Sequence, residues 1–165
     1  MNYWMLTISQ YNYNVTREHG FQVQGFTEAQ RRKVERMQLG DHILYYVREP
    51  RSFAAIGTIT STFFRDSTPL WKAHRPQEHF QHRVNIRPNF TLGDDQALDA
   101  TQIAPRMDYV RKWVPEDWPL AFMGELHLIP RRDHEFLSEE MRKVLDPTGQ
   151  PLIWEKPRGS KRRVA

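Results

Sequence analysis

The sequence predicts one α+β domain, a small, strongly bent, largely antiparallel β-structure with helices at its margins. Three observations carry this. Short runs of aromatic and β-branched residues recur along the chain, each ended by glycine, proline or a polar cluster. Gly40-Asp41 forms a tight turn that launches the apolar run Ile43 to Val47. After a charged crossing of Arg48, Glu49, Pro50 and Arg51, a second run from Ala54 to Thr60 answers it. Gly57 lies inside that second run, where a glycine permits a bend or a close backbone approach.

Taken in order, Tyr3 to Ile8 is a first strand, apolar enough for the middle of a sheet. Asn14 to Gly20 carries a capping residue and a stopping glycine, which predicts one or two helical turns. Phe21 to Phe26 is extended. Thr27 with Gln30 has the spacing of a capping box, and Ala29, Val34 and Met37 stripe the short helix that follows. Phe63 to Phe80 fits neither period and reads as a long loop, a place where sites concentrate. Gln81 to Ile86 is a strand expected to stop at Pro88. A helical piece is expected near Pro105, a last strand at Leu126 to Ile129, and an amphipathic helix from Asp133 to Leu145 with Phe136, Leu137, Met141, Val144 and Leu145 on one side.

With 165 residues, 39% of them hydrophobic and 12% aromatic, one domain with one adequate core is expected over residues 1–146. The remainder, 147–165, reads as a basic, disordered tail. Lys156, Arg158, Lys161, Arg162 and Arg163 against Glu155 account for the whole net charge of +4. A neutral body argues against strong nonspecific duplex binding. No apolar run approaches about 18 residues, and MNYWMLTISQYNYN lacks the charged and small-residue parts of a signal peptide. The expectation is a soluble, cytoplasmic monomer with no membrane partner.

The absence of cysteine excludes disulfides, thiolate metal sites and cysteine nucleophiles. His74, His79 and His82 lie close together, but their spacing matches no zinc motif, and no metal is expected. No GxSxG, P-loop or dinucleotide fingerprint is present, so no cofactor is expected.

Six features occur in a specific order: Tyr3-Trp4; Gly25 before a short helix; Leu39-Gly40-Asp41 opening a strand that ends Tyr46-Val47; Ala55-Ile56-Gly57; Arg83-Val84-Asn85-Ile86; and Phe122-Met123-Gly124 ahead of a closing helix. In order and spacing the chain resembles the EVE domain family over about residues 3 to 145. That family is a branch of the PUA-like superfamily related to the YTH readers of methylated RNA. The resemblance implies a small, strongly bent, mixed or antiparallel β-barrel of PUA-like type with peripheral helices. It also implies a pocket for one flipped, often modified nucleobase of DNA or RNA, a non-enzymatic role and a nucleic-acid partner. Such a pocket needs flat faces to replace lost stacking and polar groups to read the base edge.

Carried across on the resemblance, Trp4, Thr7 and Ser9 come from the first strand, and Gln24 and Gly25 from the second. Gln24 stands where the family often has a tryptophan, so an amide replaces a cage wall. Trp71 is the candidate for the opposite wall, with Phe80 assisting. Tyr45 and Tyr46 point to opposite faces, so at most one lines the pocket. Arg83, Arg48 and Lys72 are the candidates for phosphate. Trp4, and still more Trp113 and Trp118, read equally as core residues, and Arg83 as half of a structural ion pair.

Two other functions stay open. Relatives of the ASCH type look like hydrolases of modified nucleosides, although a lysine, threonine and glutamate set in their order is not found here. A protein-interaction module whose exposed aromatics form a docking patch is the third reading.

Overall fold

The computed structural model describes residues 1–146; the expected basic tail, 147–165, lies outside the described residues. The chain enters through β1 (Tyr3–Ile8), buried from Trp4 onward. Ser9 then caps α1 (Gln10–Glu18), its hydroxyl oxygen accepting from the Asn12 N–H. The helix thus begins four residues before the expected Asn14, because a serine after an apolar strand is itself the start signal. β2 (Val23–Phe26) follows, then a 3-10 turn and the short α2 (Arg31–Val34). The expected capping box does not form: Thr27 makes no side-chain cap, and its hydroxyl donates to Glu125 instead.

β3 (His42–Val47) and β4 (Ser52–Ile59) form the antiparallel pair read from the sequence. The turn before them uses a left-handed Gly40, with φ +92°, and a buried Asp41 whose carboxylate accepts from the Asn2 and Gln38 N–H groups and the Trp4 indole. A two-residue β5 (Phe64–Arg65) precedes β6 (His82–Thr91). Pro88 does not stop β6. It pairs with Gly57 at a register shift, and proline is admitted in a sheet at such irregularities. A Cβ on Gly57 would stand 3.1 Å from the Arg87 carbonyl oxygen, so the missing side chain is what allows this approach. β7 (Leu98–Asp99), α3 (Ala100–Ile103), α4 (Trp118–Ala121), β8 (Leu126–Leu128) and α5 (Arg131–Leu145) complete the described residues.

The strands form one mixed sheet in the order β2-β6-β4-β3-β1-β8, curled into a half-barrel. β1 and β3 run parallel, and the other pairs along this order are antiparallel. β6 makes the corner: its first residues pair with β2, its last with β4. Both faces of the central strands are covered, which is why β1 and β3 are apolar runs rather than alternating ones. On one face Trp4, Leu6, Ile43, Tyr45 and Val47 meet Tyr13, Phe21, Phe26 and Val34. On the other, Met5, Leu44, Tyr46 and Phe53 meet Trp118, Phe122, and Leu137 and Met141 of α5.

Candidate nucleic-acid interface

The C-terminal ends of β1 and β3 open into a cavity of about 850 Å³. Leu6 to Ser9 and Tyr46 supply its floor, and Arg48 and Arg51 stand just past the end of β3. One wall is the first turn of α1, with Tyr11 and Asn12, and the loop residues Lys72, Ala73, His74, Glu78 and Phe80. Gln24, Gly25 and Thr27 form the back, and residues 119–125 close the other side.

Asn12 holds the loop wall in place. Its amide donates to the Lys72 carbonyl at 2.9 Å, and its oxygen accepts from the Lys72 N–H at 2.8 Å. At the rim Tyr11 is 61% exposed, with the Lys72 ammonium 5.8 Å from its ring centroid. An exposed aromatic beside a cation is a surface that a base and its phosphate can use together. Arg48, Arg51 and Lys72 form no ion pair among the described residues, and Arg51 rests over the Trp118 ring at 5.6 Å.

Thr7, Ser9, Gln24, Gly25, Tyr46, Phe80, Arg48 and Lys72 are brought together on this cavity, while Trp4, Tyr45, Trp71 and Arg83 are not among its lining. Tyr46 faces the cavity and Tyr45 the opposite core, as alternation along a strand requires. Trp4 is 1% exposed, and its indole donates to Asp41. Trp71 is buried on Gly25, with its indole N–H donating to Thr16. Arg83 is pinned beneath the loop: it donates to the Phe80 and Thr68 carbonyls, pairs with Asp66 at 3.5 Å and lies over the Trp71 ring.

The Gln24 amide is also engaged by the protein. Its oxygen accepts from the Thr16 hydroxyl at 2.8 Å and the Tyr45 hydroxyl at 2.9 Å, and its nitrogen donates to the Gly25 carbonyl. A buried chain therefore runs from Trp71 through Thr16 and Gln24 to Tyr45, stiffening the back wall. The cavity hydroxyls are bonded as well: Thr7 donates to the Phe122 carbonyl at 3.3 Å, and Ser9 caps α1.

Tyr11, Asn12, Arg51 and Glu125 line the cavity and were not singled out from the sequence as site candidates. Tyr11 and Asn12 follow a capping serine, and an asparagine inside a helix is a signal worth following because its side chain favours other partners. Arg51 stands in the charged crossing already noted. Glu125 follows Phe122-Met123-Gly124 at the mouth of an apolar strand. Burial raises the Glu125 pKa; bonds from Thr27 oppose the rise, the Glu78 charge adds to it, and Arg48 lowers it.

A family model described as the EVE domain matches residues 2–111. A UPF0310 protein of Pyrococcus abyssi is 24% identical over 147 residues, covering 84% of this chain and 98% of its own length. Among solved structures, the Mmi1 YTH domain complex with RNA matches with a TM-score of 0.59 at 8% identity, covering 89% of this chain and 81% of that one. The YTH domain of Zygosaccharomyces rouxii MRB1 in complex with N6-methyladenosine RNA matches with a TM-score of 0.59 at 10% identity, covering 83% and 85%. At these identities the structural matches establish a shared fold.

Proposed function

The chain belongs to the EVE domain family, and from that premise we propose that it is a binding module for nucleic acid that takes one nucleobase, modified in its natural target, into the cavity above β1 and β3. The observation that carries this reading is the make-up of the rim. An exposed Tyr11 and a half-buried Phe80 offer flat faces, and Arg48, Arg51 and Lys72 form no ion pair among the described residues. Aromatic faces replace the stacking that a flipped base gives up, and unpaired cations suit the phosphates on either side. The RNA bound in the structurally similar YTH domains agrees with this reading.

Among the polar groups facing the cavity, the Glu125 carboxyl is left for a base edge, since the Gln24 amide and the Gly25 carbonyl are already engaged. The test is binding of single- and double-stranded DNA and RNA carrying methylated or hydroxymethylated bases, at stated salt, against unmodified competitor. Tyr11→Ala is expected to lose about 1–3 kcal/mol of that binding, the usual worth of one base–aromatic stack. Equal affinity for modified and unmodified probes would remove the modified base from the proposal.

One observation favours a second reading, hydrolysis of a modified nucleoside. The Thr27 hydroxyl donates to Glu125 at 2.9 Å on the cavity wall, a hydroxyl paired with a carboxyl that burial makes more basic. Acylated and methylated nucleosides incubated with stoichiometric protein test it: product formed by the wild type and not by Glu125→Gln would favour it over binding alone.

A further inference from the structure

A second cavity, of about 540 Å³, opens beside the first and shares Leu120 and Met123 with it. These two residues form an apolar ridge between the cavities, Met123 being 70% and Leu120 46% exposed. Beyond the ridge lie the half-buried rings of Tyr109, Trp113 and His127. The Tyr109 hydroxyl meets His127 Nδ1 at 2.8 Å, and His127 Nε2 meets the Gly124 carbonyl at 3.2 Å. A carbonyl can only accept, so Nε2 donates a proton to it, and Nδ1 shares a hydrogen bond with the tyrosine hydroxyl. Burial lowers the His127 pKa and so favours the neutral ring, and the wall of the second cavity is aromatic.

The rim has the opposite character. Lys112 is exposed and forms no ion pair among the described residues. Arg111 and Arg132 share the single carboxylate of Asp108, at 2.6 Å and 3.4 Å. Positive charge therefore exceeds negative around a set of flat neutral faces, which is the pairing that suits a nucleotide rather than an apolar peptide.

We propose that the second cavity holds the neighbouring nucleotide of a single strand whose first base occupies the cavity above β1 and β3. The Leu120–Met123 ridge separates the two bases, and Lys112 takes the phosphate that follows. The inference rests on the nucleobase reading of the first cavity, with which the second is continuous. Unlike that reading, it requires an extended single strand with two adjacent bases unstacked, since an apolar wedge between bases interrupts their stacking.

The experiment titrates the full chain with random-sequence single-stranded DNA and RNA hexamers, and with mononucleotides, at low and at physiological salt. Met123→Glu and Lys112→Gln, both at exposed positions, are compared with Tyr11→Ala in the first cavity. Met123→Glu is expected to weaken hexamer binding about tenfold or more, in line with the loss of one stacked base. Lys112 lines the second cavity alone, and Lys112→Gln should lower the salt slope by about one and leave mononucleotide affinity unchanged. Hexamer affinity unchanged in both variants, while Tyr11→Ala weakens it, overturns the second cavity and leaves the first reading standing. Wild-type protein that binds neither hexamers nor mononucleotides overturns both.

Discussion

The indole of Trp71 lies on Gly25 so closely that a Cβ there would stand 2.5 Å from the ring and 2.7 Å from the Phe80 carbonyl oxygen. The glycine before the short helix is thus the seat of a buried ring, and the ring fixes the loop that walls the cavity. Gly25→Ala should destabilise the protein by about 1–3 kcal/mol, the usual cost of forcing atoms into a packed site. Denaturant titration measures the loss, and an altered tryptophan emission spectrum should accompany it. An unchanged midpoint would mean that the loop and Trp71 move away freely.

Thr16 joins that ring to the back wall, accepting from the Trp71 indole at 2.9 Å and donating to Gln24. Thr16→Val keeps the shape and removes the hydroxyl, leaving a buried indole N–H without its partner. A loss of about 1–3 kcal/mol is expected, with a smaller loss for Thr16→Ser. Combined with Tyr45→Phe, which removes the other donor to Gln24, the two losses should not add, because both act on one network.

His134 stacks on His42 at 4.5 Å and against Tyr3 at 4.7 Å. Burial, reinforced by the His42 charge, lowers its pKa from 6.5 to about 4. A histidine held neutral in the fold contributes stability above its unfolded pKa and loses it as pH falls toward the folded value. Wild-type stability should therefore fall relative to His134→Phe between about pH 6.5 and 4, a difference measurable by thermal melts across that range. Parallel curves for the two proteins would refute the assignment.

Glu125 runs the other way. Its pKa is raised by burial, so the fold favours the protonated form, and stability is lost as pH rises from the ordinary carboxylate value through the raised one. Glu125→Gln can still accept from Thr27 and should be more stable than wild type at neutral pH. That advantage should vanish in acid, where the wild-type carboxyl is protonated.

Asn12→Ala removes both bonds to the Lys72 backbone. Amide exchange should rise in the loop from Lys72 to Phe80 while the β1, β3 and β4 amides keep their protection. Faster exchange throughout the sheet would show instead that Asn12 supports the whole fold.

The central strands were legible because burial on both faces writes an apolar run into the chain, as at Ile43 to Val47. α5 was legible because burial on one face writes a period. Gly57 announced the irregularity it takes part in, whereas Pro88 misled because the extra residue beside it, Asn89 of the same strand, shows only in the pairing with β4. Trp71 was read as a pocket wall because a core role is less expected in a polar loop and loops carry sites. Its real partners, Thr16, Gly25 and Arg83, come from separate elements that only the folded chain assembles. Ser9 was expected on the first strand, whereas it follows β1 and caps α1. Tyr11 escaped notice because nothing in the sequence distinguishes an exposed aromatic on a helix from a buried one.

β1 lies in the interior of the sheet, between β3 and β8, and its cavity is closed by residues 119–125. A growing chain that has emerged only as far as residue 111 contains the whole segment matched by the family model. It still has a bare strand edge along Trp4 to Leu6 and one side of the cavity missing. The missing side of the cavity and the cover for the β1 edge therefore arrive together, with residues 119–128, and the same event covers an edge that would otherwise recruit other chains. Closure of the cavity and protection of this strand edge from other chains are a single step in this topology.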